Sequence, residues 1–130
     1  MSVEYRPINR AEYEEAQAFL SENGWAHRVA DPEQFAKMLD NSDRTVLAWE
    51  GGQVVGFARA LCDGTSNGLL SMVAVAEDRR GQGIGREMVR RLIGEDAGIT
   101  WTLRAGRGSE GFWRKMGFAA SEIAMERTRK

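Results

Sequence analysis

Apolar and polar positions run through this chain with two periods, and the change from one to the other marks out its elements. VEYRPI, Val3 to Ile8, alternates as a half-buried strand does, and Pro7 suits a strand end or an edge because it has no N–H to give a ladder. NRAEYEEAQAFLSENG then shifts to helical spacing: Asn9 is a plausible N-cap, Tyr13, Ala16 and Leu20 recur on one face, and Gly24 stops the helix. DPEQFAKMLDN repeats the pattern, with Asp31 as N-cap, Pro32 at the first helical position and Phe35, Met38 and Leu39 on one face. RTVLAWEGGQVVGFARALC reads as a β-hairpin closed at Gly51-Gly52, its second strand carrying Val55, Phe57 and Leu61 on one face. GLLSMVAVA, Gly68 to Ala76, is apolar throughout, as a central strand covered on both sides would be.

Beyond it the helical period returns. Met88, Val89, Leu92 and Ile93 form one stripe from Ile84 onward, with Arg86, Arg90 and Arg91 mostly off it. GITWTLRA predicts a strand, SEGFWRKMGF a short helix ended by Gly117, and SEIAMERT a last strand. The order β-α-α-β-β-β-α-β-α-β predicts a mixed α/β fold.

Composition narrows the function. The 130 residues, 42% hydrophobic and 28% charged, suit one soluble domain spanning 1–130, with no repeat and no linker-like shift. A net charge of −1 gives no general attraction to nucleic acid or to an anionic membrane. Cys62 is the only cysteine, so an intrachain disulfide and a Cys-rich metal site are excluded; its setting, FARALCD, predicts packing at a strand end. The first residues are too charged for a signal peptide, and no apolar run approaches the ~20 residues of a membrane span. A cytoplasmic protein is the expectation.

Gly81, Gly83 and Gly85 sit where a buried strand hands over to a helix. A helix start presents unpaired N–H groups and a positive dipole end, and glycines let an anion reach them without a Cβ in the way. The spacing rejects two nucleotide motifs. No lysine follows as a P-loop requires, and a dinucleotide fingerprint opened at Gly81 meets Arg86 where its last glycine belongs.

The segment resembles motif A of the GNAT superfamily of acyl-CoA N-acyltransferases, Arg/Gln-x-x-Gly-x-Gly/Ala, with Arg80, Gly83 and Gly85 at the three named positions. GFWRKMGF is similar to that family's FYxKxGF segment, and the order of elements follows the family's over nearly the whole chain. The resemblance implies a single GNAT-like domain, with a mixed, mostly antiparallel sheet of about six to seven strands and about four helices. It implies that Arg80, Gly81, Gln82, Gly83, Ile84 and Gly85 hold the diphosphate of coenzyme A on backbone amides. Val73, Ala74 and Val75 would pair with its pantetheine arm where the sheet splays open, and Trp113 would lie beside the thioester sulfur.

By the same resemblance the activity is transfer of an acetyl group from acetyl-CoA to a primary amine of a small molecule or exposed amino group, without a metal. The protein would be a monomer or homodimer, binding neither nucleic acid nor membrane. Trp25, His27 and Arg28 would wall the acceptor pocket, although Trp25 can equally be read as a cap on the core. Two departures bear on the proton chemistry. Trp113 stands where the family usually has a tyrosine that protonates the leaving thiolate, and indole cannot yield a proton near neutral pH. Gly106 and Ser109 replace the family's frequent Asn and its Ala. No general acid or base is assigned: Ser109 is a candidate for positioning a water, while Asp63, Glu77, Asp78 and Glu110 read first as solvated loop charges. A base acting through water held by backbone and Ser71 is as good a candidate. The other reading is an acyl-CoA-binding sensor or interaction module of the same fold with little turnover.

Overall fold

The computed structural model describes residues 2–130. Among these are five strands and four α-helices: β1 (Glu4–Arg6), α1 (Tyr13–Leu20), α2 (Pro32–Asp40), β2 (Arg44–Glu50), β3 (Gln53–Cys62), β4 (Asn67–Val75), α3 (Ile84–Ile93), β5 (Thr100–Thr102) and α4 (Glu110–Lys115). The sheet runs β1-β2-β3-β4-β5. Its first four strands are antiparallel, and β5 joins β4 in parallel after the crossover through α3.

Local chemistry explains most boundaries. Asp31 caps α2 by accepting hydrogen bonds from the amides of Glu33 (3.0 Å) and Gln34 (3.3 Å). Before α1, a 3₁₀ turn over Arg10–Glu12 is closed by the Asn9 amide donating to the Glu12 carboxylate at 3.0 Å. Gly51 and Gly52, both at positive φ (57° and 80°), form the two-residue turn that sets the β2–β3 register. Arg44 donates to the carbonyl of Leu92 at 2.6 Å, closing the end of α3.

The expected last strand does not form. Residues 119–130 contain no strand, and Ile123 and Met125 are 90% and 96% exposed. The Ser121 hydroxyl accepts from the amides of Ile123 (3.2 Å) and Ala124 (3.0 Å), turning the chain where a strand would begin. Two apolar side chains give such a strand too little face to bury. The strand expected over GITWTLRA shortens to three residues, and its pairing with β4 ends at Leu69–Thr102.

Each face of the sheet carries its own apolar layer. Val46, Ala48, Val55, Ala58, Ala60 and Leu70 pack on α3 and on Trp113 of α4. Leu47, Phe57, Met72 and Ala74 pack on Phe19 and Leu20 of α1 and on Phe35 and Leu39 of α2. Val55 therefore lies on the opposite face from Phe57, not on the shared face that the spacing of Val55, Phe57 and Leu61 predicted. A register shift between Ala48 and Trp49 puts an extra residue into β3 and changes its parity, and Leu61 is 38% exposed.

Candidate active site

A second irregularity opens the sheet. Leu70 lies in the α3 layer and Met72 in the α1–α2 layer, although two residues apart on one strand should share a side. Between the pairs Phe57–Ala74 and Arg59–Ser71 the register takes two steps along β3 and three along β4. The extra residue is a bulge in β4, and Met72 there adopts φ 60°, the only positive φ at a non-glycine among the described residues. Pairing with β5 stops just before it, at Asn67–Thr100, Gly68–Trp101 and Leu69–Thr102. From Leu70 to Val75, β4 has β3 on one side and no strand on the other. The Ala76 amide donates to Val55 on β3 at 2.8 Å, so alternation turns the Val75 amide and carbonyl the other way, into the opening.

The glycine turn lies at the end of this opening. Gly83 is the N-cap of α3 at φ 87°, and the first intrahelical bond runs from the Glu87 amide to the Gly83 carbonyl at 3.0 Å. Among the described residues, the amides of Gly81 through Arg86 meet no acceptor, as the first turn of a helix requires. A Cβ on Gly81 or Gly83 would meet nothing within 4 Å, so the turn is open on that side. Gly85 differs: a Cβ there would lie 3.4 Å from Phe112 and 3.5 Å from Val75, because the helix start is pressed onto α4 and β4. This cradle fits a diphosphate, with open space, free amides and a positive helix end. The two arginines before it separate. Arg79 is held by Glu50 and by Asp78 (3.0 Å), whereas Arg80 is exposed and has no ion pair among the described residues. Gln82 is exposed, and Ile84 is buried beneath the turn.

Trp113 is a core residue, 9% exposed, in the layer under α3. The end of α4 explains why. The Gly117 amide donates to Arg114 (3.1 Å) and the Phe118 amide to Trp113 (3.0 Å), a Schellman closure with Gly117 at φ 95°. That closure lays Phe118 on Trp113, ring centroids 5.5 Å apart and nearly perpendicular, with Phe112 against the indole at 4.9 Å.

The other expected residues are placed as follows. Trp25, His27 and Arg28 lie in the two irregular turns between α1 and α2. Trp25 is half-buried against the α1–α2 layer, and His27 and Arg28 are exposed. Ser109 precedes α4 and spends its hydroxyl proton on the Gly106 carbonyl at 2.6 Å. Asp63 organises the β3–β4 turn: the Ser66 hydroxyl, then the amides of Ser66, Thr65 and Asn67, hold its carboxyl far below the ordinary range. Asp78 pairs with Arg79, Glu110 lies 3.9 Å from Arg114, and Glu77 is exposed in the 3₁₀ turn after β4. Cys62 ends β3 and is half-buried.

In this chain a strand leaves its parallel neighbour just before a bulge, above a glycine turn of free amides. Its sequence matches the family of GNAT-domain acetyltransferases over residues 41–120. The chain belongs to that family. Solved structures share the fold. They include protein SA2161 of meticillin-resistant Staphylococcus aureus (19% identity, 99% of each chain, TM-score 0.84) and the GNAT family acetyltransferase SP0256 of Streptococcus pneumoniae (23%, 98% of each chain, 0.70). A third is AAC(6')-Iy in complex with a bisubstrate analog, CoA-S-monomethyl-acetylneamine (16% identity, 100% of this chain and 99% of that one, 0.78). None of the curated proteins matches the sequence.

Two features of this GNAT site have no counterpart in the sequence reading. The bulge at Met72 has no signal in GLLSMVAVA, which reads as an unbroken strand. Arg59 reads as an ordinary polar position in the alternation of β3. Its guanidinium is in fact turned inward, with Nη1 donating to Ser42 Oγ (3.2 Å), Nη2 to Ser71 Oγ (3.4 Å), and Nε buried without a partner.

Proposed function

We propose that this GNAT chain transfers an acetyl group from acetyl-CoA to a primary amine of a small molecule or an exposed amino group. The observation that carries the reading is the unpaired edge of β4 from Leu70 to Val75, leading to the free amides of Gly81 to Arg86. Acetyl-CoA, when bound, supplies an acyl thioester. The chain's own part is binding and orientation. Gly81 to Gly85 present amides to the diphosphate, with Arg80 beside them. Val73 to Val75 offer backbone groups to an extended arm, and the irregular backbone at Met72 leaves amide hydrogen to stabilise charge developing on a carbonyl oxygen. Trp25, His27 and Arg28 stand on the acceptor side. Acyl transfer forms the N–C bond and breaks the C–S bond, so the amine must lose a proton and the sulfur leaves as thiolate. With a thiol pKa of about 8.5, the thiolate can leave unprotonated or take a proton from water. Trp113 contributes packing to this site and no proton.

The same burial of Trp113 favours the second reading, an acyl-CoA-binding module with little turnover. Release of free thiol from acetyl-CoA, measured across a panel of amines, separates the two. Amine-dependent release supports the enzyme, whereas tight CoA binding with no release by any amine supports the module. We place the protein in the reducing cytoplasm, as monomer or homodimer. Its single half-buried cysteine suits that compartment, and among the described residues no helix is long and apolar enough to cross a membrane.

A further inference from the structure

Among the described residues the arginines that are not exposed are Arg6, Arg44, Arg59 and Arg79, and of these Arg59 alone has neither a carboxylate nor a carbonyl partner. Arg6, Arg10, Arg79, Arg90, Arg91, Arg104 and Arg114 each have a carboxylate partner. Arg44, which lacks one, is satisfied by backbone carbonyls and the Trp101 ring. Arg59 has two hydroxyls, at 3.2 and 3.4 Å, and a buried Nε with no acceptor. Burying a guanidinium without an anion is costly, and hydroxyls return only part of that loss.

The surroundings add positive charge. Burial first, and then the charge of Arg28, hold the Arg59 guanidinium below its ordinary basicity. Arg28, exposed for the most part, is held low in turn by the partial burial it has and then by Arg129 and Arg104. Of the four cations, only Arg104 has a carboxylate partner among the described residues, Glu126 at 2.9 Å.

The position is specific. Arg59 pairs across the strands with Ser71, the residue before the bulge at which the sheet opens. Arg28 comes from the segment between α1 and α2. Arg59, Ser71 and Arg28 thus come from three separate stretches of chain on the α1–α2 side of the sheet, Arg28 beside Val29, which packs in the same layer as Phe57 and Met72.

We propose that Arg59, with Ser71 and Arg28, forms an anion-binding subsite on the acceptor side, so that the acetyl acceptor is an amine that also carries a carboxylate or phosphate group. This rests on the acyl-transfer reading for its place in the reaction, though the subsite itself does not need turnover. A planar guanidinium with free donors can take two oxygens of such a group side by side, and the Ser71 hydroxyl can donate a further bond. The same charges would repel a polyamine.

The test has two arms. In the first, thiol release from acetyl-CoA is measured with matched acceptors: an amino acid against its carboxamide, an amino-sugar phosphate against the free amino sugar, and spermidine. The wild type should favour the anionic member of at least one pair by about tenfold or more in kcat/KM and should be poorest with spermidine. The preferred pair tells carboxylate from phosphate. Arg59→Met should abolish the preference by raising the acceptor KM while leaving the acetyl-CoA KM within about twofold, and Arg59→Lys should keep part of it.

The second arm needs no activity. Acetate and inorganic phosphate are titrated while Tm is followed, in the wild type and in Arg59→Met. One of the two anions should raise the wild-type Tm and not the variant's, and without anions the variant should melt at least as high as the wild type, because the unpaired charge is gone. Equal rates within every pair, or a preference for spermidine, would overturn the proposal. So would anion stabilisation that survives Arg59→Met. If no amine releases thiol but Arg59-dependent anion binding is present, the subsite stands and the acyl-transfer reading falls.

Discussion

Replacing Gly83 by aspartate tests the phosphate cradle through two effects that can be measured apart. Gly83 is the N-cap of α3 at φ 87°, ψ 4°, with open space where a Cβ would stand. A side chain there costs the fold about 1–2 kcal/mol through its left-handed backbone, somewhat less for aspartate, which tolerates that conformation. The effect on the ligand is electrostatic. A carboxylate about 5 Å from a diphosphate, at an effective dielectric of about 20, repels each unit charge by roughly 3 kcal/mol. Screening at physiological salt reduces this to about 2 kcal/mol, or roughly thirtyfold in Kd. Gly83→Ala is the control, with a side chain on the same left-handed backbone and no charge. Calorimetry with CoA should find the tightest binding in the wild type, weaker binding in Gly83→Ala and the weakest in Gly83→Asp. Thermal melts should place the aspartate variant at or above the alanine one. Opposite orders of the two variants in the two measurements identify charge at the cradle as the cause. A folded Gly83→Asp protein that binds CoA as tightly as Gly83→Ala would refute the assignment.

Trp113→Ala should cost about 3–5 kcal/mol in urea denaturation, because it empties the packing against Phe112 and Phe118. Trp113→Tyr keeps a ring there and adds an ionisable hydroxyl. A rise in kcat of about tenfold, with acetyl-CoA affinity little changed, is expected if the hydroxyl reaches the leaving sulfur, and an unchanged kcat in a folded, CoA-binding variant would favour a packing role for this position. Alanine at His27 or Arg28 should raise the acceptor KM more than the acetyl-CoA KM, and at Trp25 it should do so while also lowering Tm, since that ring is half-buried. Acid should destabilise the fold through two carboxylates. The Arg6 hydrogen bond holds Glu12 below its ordinary value of 4.5, and Arg90 and Arg91 hold Glu87 at about 2. Both folded values lie below the unfolded ones, so this stability is complete above about 4.5 and is lost as the pH falls toward 2. Urea midpoints measured across that range should drop less for Glu12→Gln than for the wild type.

The sequence was most readable where one local interaction decides the outcome. Asp31 and Pro32 start α2, Gly51-Gly52 close the hairpin, and the Met88, Val89, Leu92 stripe defines the buried face of α3. Each depends on residues within a few positions. Most failures involve partners distant in sequence. The parity of Val55 and Phe57 is set by a register shift opposite Ala48, whereas SEIAMERT alternates properly but is turned aside at Ser121 and pairs with no strand. The glycine turn before α3 was legible because glycine spacing at a strand-to-helix turn is itself local. Its surroundings were not. Whether Arg79 or Arg80 is left free depends on Glu50 in another strand, and the inward turn of Arg59 depends on Ser42 and Ser71.

The most direct test of the central claim, that the opened edge of β4 and the glycine turn together seat coenzyme A, is amide hydrogen exchange on the wild-type protein with and without CoA. Slowed exchange is expected at Val73 and Val75 and across Gly81 to Arg86, with β1 and α2 unchanged. Bound CoA that left those amides exchanging at their free rates, with protection appearing elsewhere, would contradict it.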